Sequence, residues 1–297
     1  GYRVPVGVGA LKNRLRALEP DVVLLHDPFW GPLGVTQTAH ELGARVVAVH
    51  HGSVDLTAAS LPLPGPCTRP LLRRWLRRAY RDVEAVMSAV PTWRDIGVRA
   101  DLALRFGLED AFRPRPETAR GDHVLYAGRL ALEKGVLRLV DAAARSSIPW
   151  PLRVVGTGPL REAVLAYARR RGVAGRVTLH PFVDDREELA RTYAASRVVV
   201  MPGEHETFGL VAFEAAASGA RVVCCTTAPS AGAIGPLAHT FGPRDPGDLA
   251  AAIDAAHGTA PDHAAARALV ERHTWPAVLA AELSDLTGRF GASAVSG

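Results

Sequence analysis

Cysteine is scarce in this chain of 297 residues. There are three, Cys67, Cys224 and Cys225, and two of them are adjacent within an apolar run. An odd number so placed argues against a disulfide framework and predicts reduced thiols in a cytoplasmic setting. No stretch approaches the roughly 18 consecutive apolar residues that a spanning helix needs, and no charged-then-apolar leader opens the chain. Aromatic residues make up only 6% and do not interleave with the basic ones, so nucleic acid is not an expected partner. Lysine is almost missing as well. Only Lys12 and Lys134 occur, although the formal net charge is +5 and the isoelectric point is near 9.5. In so arginine-biased a composition, a retained lysine marks a place where a compact point charge is wanted. No Asp-x-Asp pair occurs anywhere, which removes a common carboxylate grip on a diphosphate-bound divalent ion. Asp184 and Asp185 read instead as caps of a helix over Arg186–Ala195. Histidine and cysteine lack metal-ligand spacing on any predicted helix. No metal and no cofactor are expected.

What is present points to an α/β protein. At 48% hydrophobic residues the chain can fill two cores. Short β-branched runs alternate with helical patterns, as in parallel sheets. Strands are expected at Val22–His26, Arg45–His50, Glu84–Ala89, Asp101–Leu104, His123–Ala127, Leu152–Val155, Val177–Pro181, Val198–Met201 and Arg221–Cys225. The polar, proline-bearing stretch Phe112–Asp122 reads as a linker, and Leu61–Pro66 as a surface loop. The expected domains are 1–113 and 114–274. Residues 275–297 form a terminal helix and tail able to cross back to the first domain, with Thr274 as N-cap and Pro276 in the first turn.

The most informative segment is His205-Glu206-Thr207-Phe208-Gly209-Leu210-Val211-Ala212-Phe213-Glu214. It follows a buried strand and leads into a helix that Gly219 can terminate. Glu206 then lies in the loop at the strand's carboxyl end, and Glu214 about one and a half turns inside the helix. The unpaired N–H groups at Gly209, Leu210 and Val211 make an anion site. Two acceptors for hydroxyls flanking donors for phosphate suit a nucleotide-sugar. A second cluster follows His123–Ala127: Gly128-Arg129-Leu130-Ala131-Leu132-Glu133-Lys134-Gly135. Arg129 and Lys134 sit at a strand's carboxyl end, where open α/β sheets bind ligands. Cations there would stabilise the charge gathering on a departing diphosphate. Gly156-Thr-Gly158-Pro is not a dinucleotide fingerprint, because Arg161 stands where a third glycine is needed.

Gly-Arg-Leu-x-x-Glu-Lys-Gly, Val-Val-Gly-x-Gly-Pro and Glu-x-Phe-Gly-Leu-Val-x-x-Glu occur in that order. Together they make the chain similar to the retaining GT-B glycosyltransferases of family four, from about Val124 to Ala256 and more loosely before it. The resemblance implies two Rossmann-like domains facing across a cleft, the first incomplete, since the family's opening strand and glycine-rich loop have no counterpart here. It also implies a donor site in which Gly128, Arg129 and Lys134 meet the diphosphate and Glu206 holds the transferred sugar. Glu214 would take the ribose, and the backbone at Phe208, Gly209, Leu210 and Val211 would lie against phosphates and sugar. Gly156 and Gly158 would form the turn beside the donor, with Phe182 and Val183 near the base. In the first domain the resemblance points to His51, with His50 second, as the histidine that touches the donor sugar. His26-Asp27-Pro28-Phe29 would lie alongside. The catalytic set is then His51, Glu206, Arg129 and Lys134. The donor expected is GDP-mannose, then a UDP-sugar (UDP-glucose or UDP-N-acetylglucosamine). The acceptor is a hydroxyl, on a small molecule or a lipid. A catalytically impaired nucleotide-sugar binder is the alternative, and a glycoside hydrolase fits less well, because both glutamates come from one strand-helix unit.

The helix over Arg69–Arg81 puts Leu72, Trp75, Leu76, Ala79 and Val83 on one face and Arg73, Arg74, Arg77, Arg78 and Arg81 on the other. It reads either as a domain helix packed on the sheet or as a peripheral contact with an anionic membrane at the inner face of the cell membrane.

Overall fold

The structure is a computed structural model and describes residues 8–26, 34–52, 54, 58, 65–89, 101–243 and 245–291. Two compact units form, one from Gly1–Phe106 with Val278–Gly297 and the other from Gly107–Ala277.

In the first unit, β1 (Val22–Leu25), β2 (Arg45–His50), β3 (Ala85–Ser88) and β4 (Leu102–Ala103) make a wholly parallel sheet in the order β1-β2-β3-β4. Successive strand residues face opposite sides, and both sides are covered. Val46 packs with Leu15 of α1 (Gly9–Leu18) and with Val35 and Ala39 of α2 (Val35–Glu41). Ala48 meets Leu76 and Ala79 of α3 (Gly65–Ala79). Val47 and Val49 point the other way, onto Leu286 of the last helix. Burial on two faces is why β2 reads as an unbroken apolar run rather than an alternating one. Helix α3 therefore packs on the sheet as a domain helix. Leu76 and Ala79 are buried, Leu72 and Trp75 lie half-buried against them, and Leu71 is exposed.

In the second unit, β5 (Val124–Ala127), β6 (Leu152–Val155), β7 (Val177–His180), β8 (Val198–Met201), β9 (Arg221–Cys225) and β10 (Ala238–Phe241) form a parallel sheet in the order β10-β9-β8-β5-β6-β7. The chain winds outward from β5 through β6 to β7, then returns to β8 on the other side of β5. This is the doubly wound arrangement, and its switch point lies between β5 and β8. Helices α4 (Val136–Arg145), α5 (Arg161–Arg170) and α9 (Pro246–Gly258) close the largest core over Tyr126, Trp150, Leu152, Val200 and Phe241.

The nine expected strands are all present, shortened at some ends; β4 retains two residues. Strand β10 was not expected. Its four residues, Ala-His-Thr-Phe, are half polar, and pairing with β9 together with the burial of Phe241 holds them in place. Asp185 caps α6 (Arg186–Ala194), its Oδ1 accepting from the Glu188 N–H at 2.6 Å. Thr274 Oγ1 accepts from the Ala277 N–H at 3.3 Å at the start of α11 (Trp275–Phe290). The expected division at 113/114 needs correction, since the units divide at Phe106 and Gly107. Leu108 bridges to Thr274, Phe112 is fully buried beside Tyr193, and buried Arg115 bonds Glu187 at 2.5 Å. The proline-bearing stretch is thus laid onto the second unit by one aromatic anchor. The expectations for Asp27-Pro28-Phe29, for Leu61–Pro64 and for the tail beyond 291 fall outside the described residues. Gly65 and Pro66 open α3 rather than lying in a loop.

Phe112→Ala removes that anchor and leaves a cavity, and should cost about 3–5 kcal/mol, read as a fall in the denaturation midpoint of the second unit. A change under about 1 kcal/mol would show the segment to be a loose tether. His123 gives a pH test. Burial above all, then Arg153 and His180, push its imidazole down to about 4, against a weaker opposite pull from Asp122. The folded chain therefore refuses a proton that the unfolded chain accepts between about pH 6.5 and 4. Stability falls as pH drops through that window and is unaffected by this group above it. His123→Gln should flatten the slope in thermal melts; an identical slope would contradict the assignment.

Candidate functional site

A cavity of about 220 Å³ opens at the carboxyl ends of β5 and β8, at the switch point. Tyr126, Ala127 and Gly128 line it from β5, Met201 and Pro202 from β8, and Gly209, Leu210 and Val211 from the start of α7 (Leu210–Ala217). Lys134, Glu206 and Thr207 complete the wall. This volume is smaller than the usual range of about 300–1,000 Å³ for whole-ligand pockets. It suits a diphosphate or one sugar ring.

Lys134 Nζ donates to both oxygens of Glu206, at 2.8 and 3.0 Å. Lys134 ends the 3₁₀ turn Leu132–Lys134 after β5, while Glu206 lies in the loop after β8. Gly135 lets the two loops meet. Its φ of +71° is left-handed, and a Cβ there would stand 2.7 Å from the Pro202 carbonyl oxygen. The Glu206 side chain is 8% exposed and that of Lys134 30%, so the carboxylate is largely desolvated and the lysine compensates it. The Glu206 loop is fixed from behind. Arg138 on α4 bonds Glu204 at 2.5 Å, and the Thr227 hydroxyl donates to the Glu204 carbonyl at 2.5 Å. Gly209 caps α7 at φ +100°, where a Cβ would strike Ser230 and Met201. That left-handed residue starts the helix at the cavity wall, which Gly209, Leu210 and Val211 line, and the first N–H groups of a helix have no partner within it. Tyr126 forms the floor. Its hydroxyl donates to the Arg129 carbonyl at 2.7 Å, and burial, then Glu206 and Glu133, push its phenol far up, so it stays protonated.

The remaining expected residues lie elsewhere. Arg129 is 63% exposed, ion-paired with Glu133, and absent from the cavity wall. Gly156 and Gly158 act on the backbone: a Cβ at either would collide with Gly128 or Leu130. Their loop is laced to β5's by Gly128 N–H to Val155 O at 3.0 Å and Leu130 N–H to Thr157 O at 2.8 Å. Phe182 is 60% exposed and Val183 half-buried, on the loop after β7. Phe208 is buried edge-on against Phe213, turned from the cavity wall. Glu214 is buried and engaged by Arg186 and Tyr193 instead of lining the cavity. In the first unit, His51 Nε2 lies 2.7 Å from His26 Nδ1, and burial followed by His26 lowers its pKa. His50 is buried against the Tyr80 hydroxyl at 2.8 Å, a core role. Tyr126, Thr207, Met201 and Pro202 were not foreseen. The period of β5 places Tyr126 on the strand face, but nothing local marks the others. Among the described residues no group of three or more His, Cys, Asp or Glu is placed to hold a metal, and no helix is long and apolar enough to cross a membrane.

Two family models match, "Glycosyl transferases group 1" over residues 121–258 and "Glycosyltransferase Family 4" over residues 1–100. The chain belongs to the family-four, group 1 glycosyltransferases. It is similar to the GDP-mannose-dependent alpha-(1-6)-phosphatidylinositol dimannoside mannosyltransferase of Mycobacterium tuberculosis, at 28% identity over 76% of this chain and 62% of the relative. It is also similar to a GDP-mannose-dependent alpha-mannosyltransferase of that species, at 31% identity over 82% of this chain and 62% of the relative. The chain thus spans about three-fifths of the length of these curated relatives. Among solved structures, sucrose-phosphate synthase from Thermosynechococcus elongatus superposes with a TM-score of 0.74 at 23% identity, covering 96% of this chain and 77% of that one. HepE of Anabaena, solved with UDP and glucose, gives 0.72 at 18%, covering 95% and 83%. Both likenesses are of fold, which is GT-B.

The glycine contacts make one prediction for this family member. Gly156→Ala must push the β6 loop off Gly128, from a φ of +140° that alanine rarely adopts. It should lower stability by at least about 2 kcal/mol. An unchanged melting midpoint would mean that the two loops are not held in contact.

Proposed function

We propose that this chain transfers a sugar from a nucleoside-diphosphate donor to a hydroxyl acceptor, with retention of anomeric configuration. The observation that carries the proposal is the pairing of Lys134 with Glu206 in a cavity whose wall includes a helix start. A donor diphosphate would take Lys134 and the N–H groups of α7 as its cationic surroundings. Released from the lysine, Glu206 would accept bonds from hydroxyls of the sugar. The departing diphosphate gathers charge as the glycosidic bond lengthens, so Lys134 and the helix start favour the transition state over the ground state. These fixed positive groups fill the part that a divalent ion plays elsewhere, which supports a metal-independent reaction. Arg129, exposed and joined to the same loop, would leave Glu133 for the diphosphate once an anion is bound. Glu206 is held by the lysine as an acceptor for hydroxyls and is not asked to act as a covalent nucleophile. Attack by the acceptor on the face the diphosphate leaves, with a phosphate oxygen taking the acceptor's proton, accounts for retention. His51 is the first unit's proposed contribution, with its ring fixed by His26.

GDP-mannose is the favoured donor. Support comes from the Pro-Gly-x-His-Glu-Thr-Phe-Gly form of the loop and from two relatives whose names specify that donor. A UDP-sugar is the next choice. The arginine face of α3 supports a peripheral membrane contact for a lipid acceptor, since α3 keeps Arg74, Arg77 and Arg78 exposed while its apolar face is packed inward.

Lys134→Ala and Glu206→Ala should each lower the initial rate of donor turnover by at least about tenfold, and by up to about 10³ if the lost donor acts only in the transition state. Circular dichroism should show both variants folded. Rates within about twofold of the unsubstituted chain would refute the assignment. Donor binding with neither transfer nor slow donor hydrolysis in the unsubstituted chain would make it a binder.

A further inference from the structure

Glu214 is a buried carboxylate whose partners all lie outside the cavity. Arg186 Nη2 donates to its Oε1 at 2.7 Å, and the Tyr193 hydroxyl donates to its Oε2 at 3.4 Å. Arg186 opens α6, and its guanidinium is held from the far side too. Nε donates to both oxygens of Glu109 at 3.1 Å, and Nη2 reaches the same carboxylate at 2.9 Å. The guanidinium also lies over the Phe112 ring, 4.7 Å from its centroid. An arginine held by a bidentate carboxylate and an aromatic face has already lost its rotamer freedom. It is a strut rather than a swinging gate.

We propose that Arg186 is a positioning residue for nucleoside recognition: clamped by Glu109 and Phe112, it fixes Glu214 as an oriented acceptor for the vicinal hydroxyls of the donor's ribose. The inference rests on the reading of Glu214 as the ribose acceptor. Its chemistry follows from lone pairs. An ionised carboxylate has about four acceptor positions. Arg186 and Tyr193 occupy one on each oxygen, which leaves one on each for a diol. A protonated carboxyl would lose that pattern. Burial drives the Glu214 carboxyl up, and Arg186 is the main group pulling it back.

Titration calorimetry of the full chain with GDP and UDP, each beside its 2′,3′-dideoxy counterpart, separates the outcomes. For the nucleotide it binds, the unsubstituted chain should prefer the ribose form by about tenfold or more. In Arg186→Ala the ribose form should bind about tenfold more weakly, with the dideoxy form unchanged, so the preference collapses. Arg186→Lys, which keeps the charge without the fork, should recover part of it. A merely structural role would weaken both forms alike, and that result overturns the proposal. So does a retained preference, and so does tighter ribose binding in Arg186→Ala, which would make Arg186 a competitor. Should Arg186→Ala fail to fold, Glu109→Gln loosens the clamp from its exposed side and should cut the preference by about threefold; an unchanged ratio overturns the proposal. An unsubstituted chain that binds neither GDP nor UDP overturns the proposed function itself, a result visible before any variant is made.

Discussion

A lysine from one strand end and a glutamate from the next, held within 3.0 Å of each other, form the interaction on which the second unit's site depends. Such a pair is a poor way to gain stability. Removing a carboxylate and an ammonium from water costs about as much as their attraction returns, and apolar residues of similar size often do as well. The proposed function gives the pair a use other than stability. Under it, a diphosphate would compete for Lys134 and sugar hydroxyls for Glu206. A sugar joined to a diphosphate offers both at once.

The backbone is arranged so that these two side chains can meet. Strands β5 and β8 are neighbours although β6 and β7 lie between them in sequence, and the crossover leaves an open space at their carboxyl ends. Gly135 brings one loop against the Pro202 carbonyl, and Gly209 starts α7 against Met201 and Ser230. Gly156 and Gly158 hold the neighbouring β6 loop against Gly128 and Leu130. Three of these glycines act by leaving out a Cβ where backbones must touch, and Gly209 does so where two side chains close in. The apolar core beneath supplies the rigidity: Trp150, Leu152 and Val200 are buried completely or nearly so.

Much of this was legible in the sequence. Every long β-branched run became a strand, because a parallel sheet covered on both faces needs continuous apolar residues and little else satisfies that pattern. Lys134 stood out by composition, and Glu206 by its place between a strand and a glycine-started helix. Less legible were the residues whose neighbours are set by side-chain pairing rather than by periodicity. Arg129 and Lys134 look alike in the sequence, but the structure pairs Arg129 with Glu133 and Lys134 with Glu206, a difference that leaves no periodicity to read. Phe112 sat in a polar, proline-bearing stretch, and its burial against Tyr193 and Arg186, with the Arg115–Glu187 pair, joins that stretch to the second unit. Arg186 itself looked like an ordinary charge in a capped first turn. Its hold on Glu214, 28 positions away, exists only once α6 and α7 are packed together. Strand β10 was missed because its pairing with β9 and the burial of Phe241 are tertiary contacts that its half-polar sequence does not announce.

The central claim is that the Lys134–Glu206 cavity takes the diphosphate and sugar of one activated donor. The most direct measurement is the thermal midpoint of the unsubstituted chain titrated with GDP-mannose, UDP-glucose and free mannose. The account predicts a concentration-dependent rise with a nucleoside-diphosphate sugar, equivalent to about 2.7 kcal/mol at 100 times its dissociation constant, and none with the free sugar. A midpoint that no nucleoside-diphosphate sugar moves at millimolar concentration would contradict it.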